Sequence, residues 1–181
     1  MTTAALISRR TFVTTLAGAL PILALPRSVR ALSTATRTLN FVHTHTGERL
    51  SVEYFGGGAY VPDALTTVNH FLRDFRTGDV HAIDPNLLDL LHSLTDLTGS
   101  ALPFQVISAY RSPATNDMLR HRSEGVSAGS LHMQGRAIDI RLADVPLAAL
   151  RGAALAARRG GVGYYPASDF VHVDTGRVRT W

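Results

Sequence analysis

Residues 127–140 read SAGSLHMQGRAIDI and place a histidine, His132, in a glycine-rich loop seven residues before an aspartate, Asp139. The aspartate lies within a short apolar strand. Because side chains alternate between the two faces of a strand, Asp139 lies opposite the face that carries Ile138 and Ile140. The aliphatic face belongs to the core, so we expect Asp139 to point away from the core and toward His132.

A second short strand near the end of the chain repeats this arrangement. Residues 170–174 read FVHVD, which places His172 and Asp174 on one face and two valines on the other. If the two strands are neighbours, His132, Asp139 and His172 converge on one point. Two imidazoles and a carboxylate with one open position are the usual ligands of catalytic zinc. Zinc lowers the pKa of bound water to about 7 and polarises carbonyl groups, which suits the hydrolysis of an amide.

The composition is that of a globular protein. The 181 residues are enough for one domain with a sizeable core, and 45% of them are hydrophobic while 18% are charged. There is no cysteine, so neither a disulfide nor a thiolate metal site can form. Any metal ion must therefore be bound by His, Asp or Glu.

The first residues resemble a twin-arginine export signal. Arg9 and Arg10 are followed by an uncharged run of sixteen residues, 11–26, which is shorter than the ~20 residues of a stable membrane span. We therefore predict an export signal over residues 1–31 that is cleaved near Ala31, and no stable membrane span. An uncleaved tether is the alternative. The translocase of the twin-arginine pathway would then be a partner during export, and the periplasm would be the destination.

This signal determines the expected domain organisation and charge. Residues 32–38 are predicted to be a linker and residues 39–181 one folded domain. All 18 basic residues are arginine and four of them lie in the signal, so fourteen arginines remain against fourteen acidic residues. The mature domain is therefore nearly neutral, which argues against a nucleic-acid-binding surface.

The remaining pattern predicts an α+β domain, a small antiparallel sheet with flanking helices. Alternating apolar and polar residues predict a hairpin, and leucines at helical spacing predict two helices, the second beginning at Asp84-Pro85. The expected strands cover residues 38–43, 49–55, 104–109, 136–142 and 170–174, and the expected helices begin at Pro62 and Pro85 and cover residues 113–121 and 146–158. The glycine-rich residues 160–163 are expected to end the last helix.

Several motifs, in the same order, resemble those of the LAS-type zinc peptidases of peptidoglycan, which include D-alanyl-D-alanine carboxypeptidases and murein endopeptidases. They are Ser130-x-His132-x-x-Gly135-x-Ala137-x-Asp139, Asp169-x-x-His172-x-Asp174, Ser108-Ala109-Tyr110-Arg111-Ser112 and Gly161-Val162-Gly163-Tyr164-Tyr165. The set is most similar to the murein endopeptidase K branch, a former family of unknown function within the M15-like peptidases. The resemblance covers about residues 39–181.

The resemblance implies a hedgehog/D-alanyl-D-alanine-peptidase-like fold, a substrate of cell-wall peptides, and zinc held by His132, Asp139 and His172. It also implies two catalytic residues. Asp169 lies three residues before the last zinc histidine, where many members have a glutamate as general base, and aspartate is one methylene shorter. Arg111 matches an arginine that binds the substrate carbonyl or its developing oxyanion, a task that suits its planar, permanently charged guanidinium.

These features predict an exported zinc metallopeptidase that hydrolyses peptide bonds of peptidoglycan, as a murein endopeptidase or carboxypeptidase. The alternative function is a catalytically inactive, zinc-containing module that binds the cell wall.

Four alternatives at the residue level stay open. Asp174 either orients a ligand histidine or is a polar strand end. Asp169 is either the general base or a turn aspartate, and Arg111 either binds substrate or pairs with a carboxylate. His43 and His45 form either a second metal pair or the exposed edge of a hairpin.

Overall fold

The computed structural model describes residue 1, residues 35–123 and residues 125–181. The predicted export signal from residue 2 onward, and the linker up to residue 34, lie outside the described residues. The first strand begins at Arg37, two residues before the predicted start of the domain. None of the helices in the described part combines the length and the hydropathy of a membrane span.

The described part of the chain contains eight strands and four helices. The strands are β1 (Arg37–His43), β2 (Arg49–Gly56), β3 (Ala59–Tyr60), β4 (Phe104–Ser108), β5 (Ala137–Arg141), β6 (Gly161–Tyr165), β7 (Phe170–Asp174) and β8 (Arg179–Thr180). The helices are α1 (Pro62–Phe71), α2 (Pro85–Thr98), α3 (Pro113–Arg122) and α4 (Leu147–Ala157), with 3₁₀ turns at Leu131–Gln134 and Pro166–Ser168.

All eight strands belong to one sheet in the order β3-β2-β1-β4-β5-β7-β6-β8. The pairs β1–β4 and β6–β8 are parallel, and the other pairs are antiparallel. The predicted α+β class is confirmed, and the sheet is larger than the sequence indicates. Residues 160–163, from which only a helix end is predicted, also contain the start of β6. Glycine has no side chain, so neighbouring groups can approach this strand closely.

Helix α2 begins where the sequence predicts. The side chain of Asp84 accepts a hydrogen bond from the backbone N–H of Asn86, and Pro85 occupies the first turn. Gly99 ends the helix in the left-handed region with a φ of 66°. The signals at Asp84 and Pro85 need no tertiary contact, which is why the sequence alone predicts where this helix begins.

Helices α1, α2 and α4 pack against the sheet, with α1 on β2. Helix α2 packs against β1 and α4, and α4 packs against β6 and β7. The predicted core face of the central strands is confirmed, because Ile138 and Ile140 of β5 and Val171 and Val173 of β7 are fully buried. The alternate residues of β5 and β7 therefore lie on the opposite face of the sheet, where the candidate site forms.

Candidate metal centre

The structure brings together the three residues predicted as metal ligands. Asp139 and His172 are direct partners in the antiparallel pairing of β5 with β7. His132 reaches them from the 3₁₀ turn at Leu131–Gln134, which Gly135 ends with a φ of 63°. A side chain on Gly135 would also clash with a backbone carbonyl, so this turn requires glycine. All three ligand residues are buried.

One atom from each residue forms a small triangle. His132 Nε2 lies 3.3 Å from Asp139 Oδ1 and 3.1 Å from His172 Nδ1, and the last two atoms are 2.9 Å apart. Ligand atoms bound to a tetrahedral zinc ion at ~2.0–2.1 Å lie roughly 3.3 Å from one another. The triangle therefore has about the size of one face of such a tetrahedron.

In each imidazole, the nitrogen that faces away from the triangle has a hydrogen-bond partner. That partner determines which nitrogen of the neutral ring carries the proton. His132 Nδ1 lies 2.6 Å from the carbonyl oxygen of Ala109, which can only accept, so Nδ1 carries the proton. His172 Nε2 lies 3.1 Å from a carboxylate oxygen of Asp174, so Nε2 donates in the same way. When both rings are neutral, two nitrogen lone pairs and a carboxylate therefore face one another without a proton between them. This set of donors fits a cation.

Asp174 lies against His172, in the position of a residue that orients a ligand histidine. It is fully buried and also accepts hydrogen bonds from the backbone N–H groups of Gly161 at 2.9 Å and Gly176 at 2.8 Å. The guanidinium of Arg179 donates to it at 2.7 Å. Burial alone would raise the pKa of Asp174, but these donors, led by His172, hold it well below its usual range. Arg179 was not among the residues predicted from the sequence, because no local pattern indicates that β8 lies beside β6.

Arg111 contacts the second carboxylate oxygen of Asp139, and its Nε donates to the hydroxyl of Ser108 at 2.9 Å. Burial raises the pKa of Asp139, but the charges and hydrogen bonds of His132, His172 and Arg111 outweigh it and keep this carboxylate ionised. The carboxylate pairing that was one interpretation of Arg111 is therefore present. The same residue also lines the cavity described below.

The two histidines differ in their protonation. Burial lowers the pKa of His132, which favours the neutral ring that a metal ligand requires. Burial also disfavours the charged form of His172, but hydrogen bonds to Asp139 and Asp174 outweigh it and raise the pKa. A proton and a cation therefore compete for Nδ1 of His172, and metal binding should weaken as the pH falls.

Asp169, the predicted general base, lies outside the cluster of three. It ends the 3₁₀ turn at Pro166–Ser168 with a φ of 53°, and its carboxylate pairs with the guanidinium of Arg141 at 2.7 Å. The side chain of Asp169 is 62% exposed. Its neighbours Ser168 and Phe170 line the cavity, but Asp169 does not.

The cluster opens on a cavity of about 610 Å³. The loop after α3 forms one wall through residues such as Val126 and Ser127, and Tyr165 and Trp181 form another. The indole N–H of Trp181 donates to the hydroxyl of Tyr165 at 2.7 Å, and its ring lies 5.2 Å from that of His172. The cavity therefore provides access to the face of the three ligand residues.

The structure contradicts the hairpin-edge interpretation of the other pair of histidines, His43 and His45. His43 is buried rather than exposed on a hairpin edge, and its Nδ1 accepts from the backbone N–H of His45 at 3.2 Å. The ring of His45 stacks on Phe75 with centroids 4.3 Å apart. In the described part of the chain, the one group of three or more side chains close enough to share a metal is His132, Asp139 and His172. The described structure therefore offers no third ligand for a metal at the histidine pair.

Comparison with known proteins gives matches over most of the chain. A family model described as peptidoglycan L,D-endopeptidase MepK matches residues 31–181, which include the whole candidate metal centre. Peptidoglycan L,D-endopeptidase MepK of Escherichia coli (strain K12) is 47% identical over 145 residues, 80% of this chain and 80% of that protein. Probable peptidoglycan L,D-endopeptidase MepK of Haemophilus influenzae is 45% identical over 166 residues, 90% of this chain and 89% of that protein.

Proposed function

The chain belongs to the family described as peptidoglycan L,D-endopeptidase MepK, and on this basis we propose that it is a zinc peptidase that hydrolyses a peptide bond of peptidoglycan. The observation that carries this proposal is the buried triangle of two imidazole nitrogens and one ionised carboxylate at a cavity. The names of the relatives support a bond between an L- and a D-centre.

The donor set suits zinc, which accepts imidazole nitrogen and carboxylate oxygen in sites with an open position. A zinc ion held by His132, Asp139 and His172 supplies Lewis-acid chemistry, which polarises a peptide carbonyl and makes water a better nucleophile at neutral pH.

Residues around the three ligands hold them in place for this chemistry. The carbonyl of Ala109 and the carboxylate of Asp174 hold the two imidazoles in the tautomers that leave a lone pair facing the ion. Arg111 holds the carboxylate of Asp139 and lines the cavity. A guanidinium at this position can stabilise negative charge that develops on the carbonyl oxygen during attack.

The role of Asp169 as general base remains a prediction. Because its carboxylate pairs with Arg141, this role requires the ion pair to open when substrate binds. We expect Asp169→Asn to lower kcat about a hundredfold or more while the zinc content stays that of the parent. Arg141→Gln is the matched control, because it removes the ion pair and keeps the carboxylate. An unchanged kcat in Asp169→Asn would exclude the role.

We also propose that residues 1–31 direct export to the periplasm through the twin-arginine translocase. Replacing both Arg9 and Arg10 by lysine preserves the charge and removes the arginine pair. Cell fractionation should then find the protein in the cytoplasm, and periplasmic protein at the parental level would contradict the proposal.

Defined L,D-linked muropeptides test the peptidase function directly. Purified protein with zinc should cleave them, and the same protein after chelation, or the variant His132→Ala, should not. Mass analysis of the products identifies the bond. The exposed position of Asp169 favours one alternative, a zinc-containing module that binds cell wall without cleaving it. Stoichiometric zinc without cleavage of any muropeptide would support that alternative.

A further inference from the structure

The cavity is lined by a positively charged side chain that has no role in the proposed peptidase function. Three arginines line it, namely Arg76, Arg111 and Arg179. Arg111 pairs with Asp139, and Arg179 pairs with Asp174. Within the described residues, no carboxylate forms an ion pair with the guanidinium of Arg76. This arginine is therefore the one of the three with a charge available to a ligand.

The backbone fixes Arg76 close to Arg111. Asp74 is fully buried and accepts hydrogen bonds from the backbone N–H of Arg76 at 3.0 Å and from the backbone N–H and hydroxyl of Ser112 at 2.9 and 2.8 Å. Ser112 directly follows Arg111. The carboxylate of Asp74 therefore holds the backbone at Arg76 and the backbone next to Arg111 close together.

The two guanidinium groups also influence each other. Arg76 is exposed overall but part of its side chain is buried. That partial burial lowers its pKa, and the positive charges of Arg111 and Arg122 lower it further, while Asp74 acts in the opposite direction. An anion that entered this part of the cavity would relieve the repulsion between the arginines.

Aromatic rings support the side chain of Arg76. Its guanidinium carbon lies 4.1 Å from the centroid of the Phe75 ring. That ring stacks in turn on His45, with an interplanar angle of 9°, and His45 lines the cavity as well. A guanidinium held on an aromatic face loses less conformational entropy when it binds a ligand than a free side chain does.

We propose that Arg76 binds a free carboxylate of the peptide substrate, on the side of the metal centre where Arg111 lies. This inference rests on the proposed function and names the substrate class: peptides with an ionised carboxyl group beside the cleaved bond, in preference to the same peptides with an amide there. A planar guanidinium can bind a carboxylate through two parallel N–H donors, and it loses that ion pair with a carboxamide.

Equilibrium binding to the zinc-loaded protein tests this preference without relying on cleavage. The probes are two analogues of an L,D-linked stem-peptide dimer in which a ketomethylene group replaces the cleaved amide. One analogue has a free carboxyl group beside that bond and the other a carboxamide. We expect the parent protein to bind the acid about tenfold more tightly than the amide.

Variants identify the residue responsible. Arg76→Gln should reduce the preference to less than about twofold, and Arg76→Lys should retain part of it. Arg49→Gln is the matched control, because Arg49 is exposed on β2 and does not line the cavity, and it should keep the parental preference. Equal affinity of the parent for both analogues, or equal weakening of both in Arg76→Gln, would overturn the inference.

Cleavage of the corresponding amide dimers separates this inference from the proposed function. Cleavage together with equal affinities would retain the peptidase function and overturn the role of Arg76. An acid preference that depends on Arg76, without cleavage in any metal state, would support the carboxylate site and overturn the peptidase function.

Discussion

At the scale of single residues, the candidate metal centre has partners that orient its predicted ligands. A neutral imidazole has one donor and one acceptor nitrogen, so a partner on the outer nitrogen determines which one can bind a metal. For His132 that partner is a backbone carbonyl, which substitution cannot remove. For His172 it is the side chain of Asp174, which Arg179 neutralises.

Substitution of Asp174 should therefore weaken zinc binding although Asp174 is not a ligand. Asp174→Asn keeps the size of the side chain, removes its charge and leaves Arg179 without its carboxylate. We expect zinc affinity to fall about 10- to 100-fold, as measured by competition with a chromogenic chelator. Asp96→Asn, at a carboxylate that is 69% exposed, is the matched control and should bind zinc like the parent. Parental affinity in Asp174→Asn would show that the contact with His172 does not matter.

His43 should make folding sensitive to pH. Burial lowers its pKa, with further contributions from the charges of His45, Arg73 and Arg76, and Glu48 acts in the opposite direction. Its Nδ1 accepts a backbone hydrogen bond, so the ring is neutral in the folded state. As the pH falls below the ordinary value of about 6.5, the unfolded chain takes up this proton first, and stability is lost.

We therefore expect His43→Phe to remove part of the loss of stability between pH 7.5 and 5.5. The free energy of unfolding in urea, measured for the parent and the variant at both pH values, gives the comparison. Phenylalanine also removes a buried Nε2 that has no hydrogen-bond partner in the described residues. A variant that loses as much stability as the parent would assign the pH dependence to other groups.

At the scale of elements, strand β6 allows the residues around Asp174 to pack closely. A Cβ atom on Gly161 would lie 2.5 Å from Asp174 Oδ2, and one on Gly163 would lie 2.8 Å from the ring of Trp181. Side chains at these positions would push β6 away from its neighbours β7 and β8. The glycines are therefore part of a packed strand beside the candidate metal centre, rather than a flexible connection after α4.

Two glycine substitutions should have opposite effects on stability. Gly161→Ala should destabilise the fold by about 1–3 kcal/mol and weaken zinc binding, because the added methyl group displaces Asp174. Gly152→Ala lies within α4, where an added Cβ meets nothing within 4 Å, and should stabilise the fold by about 1 kcal/mol. Urea unfolding of both variants measures the difference. Equal effects would mean that β6 tolerates side chains at Gly161.

At the scale of the whole molecule, the sheet separates the hydrophobic core on one face from the candidate metal centre on the other. The apolar faces of β5 and β7 pack against the helices, and the same two strands present Asp139 and His172 on the other face. The three candidate ligands come from parts of the chain up to 40 residues apart. A metal that binds all three of them therefore favours the folded chain over the unfolded one.

Removal of zinc should accordingly lower the thermal stability of the protein. A ligand present at a thousand times its Kd stabilises the folded state by about 4 kcal/mol. We expect the Tm of the zinc-loaded parent to fall on chelation, as followed by circular dichroism, and the Tm of His132→Ala to stay the same with and without chelator. If the Tm of the parent were the same with and without chelator, no metal at this site would stabilise the protein.

Much of the fold follows from local patterns. The alternation in β5 and β7 and the start of α2 are predicted, because each depends on residues within one turn or one strand. The α+β class is predicted from the order of the elements. The resemblance to the murein endopeptidase K branch, drawn from a few motifs, is confirmed by the family match over residues 31–181.

The sequence by itself determined the types and order of the candidate ligand residues His132, Asp139 and His172, since residue chemistry and strand alternation are local properties. Only the tertiary structure decided that Arg179 supports Asp174, that Asp169 pairs with Arg141 and that Arg76 shares a cavity with Arg111. These pairings join elements by strand order and side-chain packing, and long-range packing leaves no periodic signal in the chain.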